Sequence, residues 1–96
     1  PPPCRSYFRT QAKYIELVKS GLTVMFDAEI ANQICTVLER NVQIEFSVKL
    51  TAVEQSKLLS AIVEHTLSII SVMYEEGMSI NAIAHAFNTP YEVIEK

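Results

Sequence analysis

NVQIEFSVKL (residues 41–50) is the stretch on which the fold turns. Val42, Ile44, Phe46, Val48 and Leu50 alternate with Gln43, Glu45, Ser47 and Lys49. A period of two over that length predicts a strand with one buried face. A strand needs a neighbour, because its edge carries unpaired peptide groups. Upstream, LTVMF (22–26) reads as a short second strand. Two short strands are stable in water only when helices or further strands cover them. The expectation is therefore an α+β chain, mostly helical, with two short strands. Two arrangements satisfy the long strand: a homodimer that pairs it across copies, or a ribbon shielded by its own helices.

Helices are expected on both sides. PPP at the start is expected to enter extended, and a helix fits from about Arg5 to Ser20. Phe8, Ile15 and Val18, with Tyr7 and Tyr14, take one side of it; Arg5, Arg9 and Lys13, four apart, take the other. Gly21 suits a C-terminal stop. After the strand at 22–26, Asp27 caps a helix over 28–40, which turns Ile30, Ile34, Val37 and Leu38 inward.

TAVE (51–54) has the form of a capping box, with Thr51 as cap and Glu54 reaching back. It predicts a long helix to about Glu76, ended by Gly77. Lys57, Ser60, Glu64, Ser68, Ser71 and Glu75 form one polar stripe. Much of the remaining circumference is apolar, including Leu58, Leu59, Ile62, Val63, Leu67, Ile69, Ile70, Met73 and Tyr74. This helix is either the central pillar of the domain or a dimer seam. Glu64, His65 and the serines make Leu58–Tyr74 too polar, and its length too short, for an expected membrane span.

Ser79 caps a further short helix, INAIAHAFN (80–88), with Asn88 at its exit. TPYE (89–92) repeats the capping-box form, with Pro90 at the first helical position and Glu92 three after the cap. Two helices joined by a tight turn are expected. GMSINAIAHAFNTPYEVIEK resembles the helix-turn-helix segments of bacterial transcriptional regulators. The small residue after an apolar one matches Ile83-Ala84, the large apolar residue before the turn matches Phe87, and Val93 or Ile94 matches the branched residue of the second helix. The resemblance covers roughly residues 51–96. It implies Thr89 and Tyr91 as base or phosphate contacts and Asn81 and Lys96 as backbone contacts, with Arg5, Arg9 and Lys13 adding phosphate contacts. Asn88 replaces the usual turn glycine, and Glu92 and Glu95 oppose phosphate. More faintly, LTVMFDAEIANQICTVLER resembles the strand and first helix of ribbon-helix-helix repressors, with Thr23 and Met25 facing outward.

Composition bounds the rest. Ninety-six residues make one domain, 1–96, with a helix-strand-helix-strand part over 1–50 and the long helix and helix pair over 51–96. An apolar content of 49% suffices for a core, and the net charge of -3 exerts no general pull on nucleic acid. The charge is uneven: the head is basic and the tail acidic. Cys4 and Cys35 show no metal spacing, and a reduced, cytoplasmic setting is the simplest reading. His65 and His85 have no second ligand at a zinc spacing. With Gly21 and Gly77 alone there is no glycine-rich phosphate loop. No enzyme, no cofactor, no metal, no small-molecule substrate and no membrane partner are expected. Two functions remain: a small dimeric DNA-binding regulator, or a protein-interaction module in which the acidic tail is a docking surface.

Overall fold

The computed structural model describes residues 3–46, 49–87 and 91–93, and the side-chain surroundings of 10–46 and 49–87. In chain order it contains α1 (Pro3–Met25), α2 (Ala28–Asn41), β1 (Val42–Ile44), α3 (Ala52–Glu75), α4 (Ile80–Ala86) and β2 (Tyr91–Val93). The protein is mostly helical. α1 packs against both α2 and α3, and α4 closes against α2 and α3. At about 1.5 Å per residue, α1 and α3 set the long dimension of the molecule, whose extents are 43 × 23 × 20 Å.

The strand expected at 22–26 is the end of α1. Tyr14, Val18 and Leu22, spaced by four, are all fully buried, so the core stripe of the helix runs on through Leu22. Thr23, a residue that suits strands, turns its hydroxyl onto the Ser20 carbonyl at 2.8 Å and stays helical. The Phe26 amide closes the last turn on Leu22 O at 2.8 Å. Gly21 is therefore not a stop. A Cβ at this position would overlap the Leu67 side chain of α3, so glycine lets the two helices approach. Above this crossing, Thr66 donates its hydroxyl to Ile62 O at 2.9 Å and can only accept from Tyr14 Oη, 3.0 Å away.

Asp27 ends the α1–α2 connection. It adopts extended backbone angles, φ -73° and ψ 168°, and its Oδ1 accepts the Ile30 amide at 2.9 Å. α2 buries Ala31, Ile34, Cys35 and Leu38. Ile30 and Val37 are packed only partly against the core.

The strand expected over 41–50 shrinks to three residues. Its alternation holds where it forms: Val42 and Ile44 are fully buried, while Gln43 and Glu45 face solvent. Phe46 is half-buried beyond it, Ser47 and Val48 lie outside the described residues, and Lys49 and Leu50 turn toward α3. With Leu22–Met25 in α1, no antiparallel neighbour extends the ladder among the described residues. Gln11 of α1 supplies one edge instead. Its Nε2 donates to Val42 O at 2.6 Å and its Oε1 accepts from Ile44 N at 3.1 Å. One primary amide thus does what a peptide group of a neighbouring strand would do. Along β1, β2 pairs in parallel, with Val42 opposite Tyr91, Gln43 opposite Glu92 and Ile44 opposite Val93.

The long helix forms as expected. Thr51 Oγ1 accepts the Glu54 amide at 3.1 Å, and Glu54 Oε1 accepts the Thr51 amide at 2.8 Å. Gly77, with φ +90°, ends it. The Met78 amide reaches Met73 O and the Gly77 amide reaches Tyr74 O, both at 3.0 Å, which is a Schellman closure. Leu59, Ile62, Val63 and Ile70 enter the core, so one side of α3 is the pillar of the fold. At 24 residues it is also long and apolar enough, by length and composition, to cross a membrane.

Ser79 caps α4 through the Ala82 amide at 3.1 Å, and Ile83, Ala84 and Phe87 are buried. The second helix of the expected pair does not form at its centre. The backbone at Tyr91–Val93 is extended and joined to β1. A helix of eight residues is marginal alone, whereas an unpaired edge of β1 rewards the strand-favouring Tyr91 and Val93.

Two substitutions test this account by chemical denaturation. Gln11→Leu leaves the Val42 carbonyl and the Ile44 amide unsatisfied and is expected to cost about 2–4 kcal/mol; Gln11→Glu, which keeps the acceptor, should cost less. Gly21→Ala should destabilise the native protein by about 1–2 kcal/mol through overpacking. In a Leu67→Ala background the same change should stabilise, by up to about 1 kcal/mol of helix propensity.

Candidate interaction surface

Of the contact residues expected for DNA, Asn81 and Lys13 have described side-chain surroundings. Asn81 is exposed in the first turn of α4, where its carbonyl lies 2.7 Å from His85 Nδ1. Thr89 and Lys96 lie outside the described residues. Tyr91 is in β2, and Arg5 and Arg9 are in α1; the surroundings of these three side chains also lie outside the description. Lys13 is exposed and pairs with Glu16 at 3.3 Å, one turn along the same helix. A solvent-exposed pair of this kind adds little stability. Of the outward positions of the ribbon-helix-helix resemblance, Thr23 is exposed and Met25 half-buried, and both belong to a helix rather than a strand.

A groove of about 360 Å³ opens between the first halves of α1 and α3. Leu17, Leu59 and Phe46 give it an apolar base, and Thr10, Lys13 and Gln55 are among its polar walls. Gln55 is held there by the bond from its Nε2 to Leu50 O at 3.3 Å. No local pattern reveals this groove, because Phe46 continues the alternation of a strand and the two helices meet across more than forty residues of chain.

Large apolar side chains are also exposed at the other end of the same two helices. Val24, Val72 and Tyr74 are exposed there by 87, 52 and 51%. The ring of Phe26, just past α1, meets Tyr74 edge to face, with centroids 5.0 Å apart and planes at 87°. Asp27, Glu75 and Glu76 are exposed beside these residues in sequence. In the sequence, Tyr74 belongs to the apolar side of the long helix. Its exposure depends on where α1 ends, which no local pattern reveals.

His65 and His85 are exposed, and among the described residues no group of three His, Cys, Asp or Glu side chains is placed to hold a metal ion. Cys35 is buried in the core between Ile34 and the rest of α2. Burial pushes its thiol above the usual range; Lys19 opposes the shift and Glu39 adds to it.

Comparison with protein-family models, with curated proteins and with solved structures finds no match for this chain.

The raised thiol value has two consequences. Cys35 should react with a thiol reagent near pH 8 far more slowly in the native protein than in denaturant. Its folded-state value exceeds its unfolded one, so its contribution to stability is complete below the unfolded value of about 8.5. That contribution should then decline as pH rises toward the folded value, a slope that Cys35→Ala removes in denaturation measured from pH 7 to 10.

Proposed function

We propose that this chain is a protein-interaction module. The observation that supports this reading is the strand Tyr91–Val93, which stands where a recognition helix would have to begin. A helix-turn-helix protein lays its second helix in the major groove and reads base edges from it. Here that backbone is tied to β1 through a parallel ladder. Apolar side chains are meanwhile exposed on the two longest helices, at Val24, Val53, Val72 and Tyr74. Exposed apolar side chains beside charged ones are the raw material of protein interfaces.

A second reading is the small dimeric regulator that touches DNA. It is favoured by Arg5, Arg9 and Lys13, which recur every four residues along α1 and so share one face. In it these cations lie on the phosphate backbone, and two copies associate through the outer edge of β2.

Titration of labelled duplex DNA at two salt concentrations separates the readings. The interaction module should show no binding at low salt. Binding that weakens steeply as salt rises would overturn it in favour of the regulator. Light scattering on the same sample tests the dimer, which a monomer at high concentration would exclude.

A further inference from the structure

α1 and α3 meet closely where Gly21 faces Leu67. Between their first halves they leave the groove of about 360 Å³, a volume within the range of small-molecule sites. Helical spacing builds its two walls. Thr10, Lys13 and Leu17 recur at steps of three and four along α1, and Ser56 and Ser60 stand one turn apart on α3 with Leu59 between them. The shortness of β1 completes the base. The strand ends at Ile44, and Phe46 beyond it joins Leu17 and Leu59.

The polar groups of the groove are of one kind. Among the described residues that line it, Lys13 is the only charged one, and there is no carboxylate. The partner of Lys13, Glu16, is not a lining residue, and their pair is exposed on both sides. Such a pair is weak, and an ammonium has three donors, so Lys13 takes a further acceptor at little cost. The hydroxyls of Thr10, Ser56 and Ser60 make no hydrogen bond to any described residue. Elsewhere in the helices, Thr23, Thr36 and Thr66 each turn the hydroxyl onto a carbonyl of the preceding turn. The groove therefore sets one cation and three available hydroxyls around an apolar base.

We infer that this groove binds a small amphipathic carboxylate, a short apolar chain or ring that ends in one carboxyl group. The apolar body lies on Leu17, Phe46 and Leu59. The carboxylate accepts a charge-assisted hydrogen bond from the Lys13 ammonium, and the hydroxyls satisfy its remaining lone pairs. From Thr10 to Leu17 the helix rises about 10 Å, which suits a short chain. An amine of the same length sets its charge against Lys13, and a neutral alcohol forgoes the charge-assisted bond. Duplex DNA would use Lys13 but leave the apolar base uncovered. The inference goes beyond the interaction-module reading and does not depend on it.

The test is a titration of the isotopically labelled full chain with octanoate, followed by backbone amide NMR, with octylammonium as the control of opposite charge. Octanoate should shift amides within 10–17 and 52–60, with a dissociation constant on the order of 1 mM. Octylammonium should bind at least tenfold more weakly. Lys13→Glu should reverse the order of the two. Ser56→Trp, which fills the groove from an exposed position, should abolish octanoate binding; Ser68→Trp, exposed on α3 outside the groove, should not. Amide dispersion in each variant's spectrum verifies that the fold is kept, and the comparison of the two probes on the unaltered chain decides the matter where a variant fails to fold.

Equal binding of octylammonium would overturn the proposal. So would indifference to Ser56→Trp, or shifts that map away from the groove. A ten-residue peptide of leucine and glutamate that binds there more tightly than octanoate would assign the groove to a protein segment and overturn the small-molecule reading. Concentration-dependent shifts of the groove amides without any probe would assign it to a second copy, with the same result.

Discussion

The helical state of Leu22–Met25 governs the rest of the structure. These residues have the composition of a strand, yet Leu22 continues the buried stripe of Tyr14 and Val18. Leaving the helix at Gly21 would pull Leu22 out of the core and open the crossing with α3. Once the segment is helical, β1 has no antiparallel neighbour beside it in sequence. One edge of β1 is then met by the Gln11 side chain and the other by Tyr91–Val93. The segment that completes the sheet is taken from the expected second helix. A choice made near residue 22 thus reaches the far end of the chain through backbone hydrogen bonding.

What was legible in the sequence was local chemistry. Asp27, Thr51 with Glu54, and Ser79 cap the helices they were expected to cap, since a cap involves residues two or three apart. Gly77 adopts the positive φ that its position after α3 called for. Gly21 shows where such reading fails. A glycine after an amphipathic run suits a helix end and a helix crossing equally, and only Leu67, forty-six positions later, decides between them. The Gln11 bonds are equally remote, with separations of 31 and 33 residues. Alternation over 41–50 signalled which side chains are buried, and it was right for Val42 and Ile44. It said nothing of whether neighbours exist to make the ladder long.

The candidate surface was legible only in part. Glu75 and Glu76 were visible as the exposed end of a helix, and the acidic character of the tail was plain from its composition. That Tyr74 meets Phe26 follows from the parallel run of α1 and α3. The resemblance to helix-turn-helix segments rested on Ile83, Ala84 and Phe87, and these are buried in the structure. Such residues report on how a short helix packs. They carry no information about the element that follows it, which is why a good match at three core positions coexists with a strand at Tyr91–Val93.

Charge is separated along α1 in a way that stability does not require. Arg5, Arg9 and Lys13 lie in the N-terminal half of α1, Lys19 lies beyond its middle, and Asp27 follows the helix, so most of the cations precede the middle and the anion lies past the C-terminal end. The macrodipole favours the reverse order. α3 repeats the pattern with Lys57 near its start and Glu75 and Glu76 at its end. The two helices run parallel, so their C-terminal partial charges and the carboxylates beside them add at one end, although Glu54 in the first turn of α3 favours that helix's own dipole. The result is a concentration of carboxylates at the end where α1 and α3 stop. Fields of this kind contribute little to folding and much to the rate and selectivity of encounter, so the arrangement is more readily understood as a property of association than of the fold.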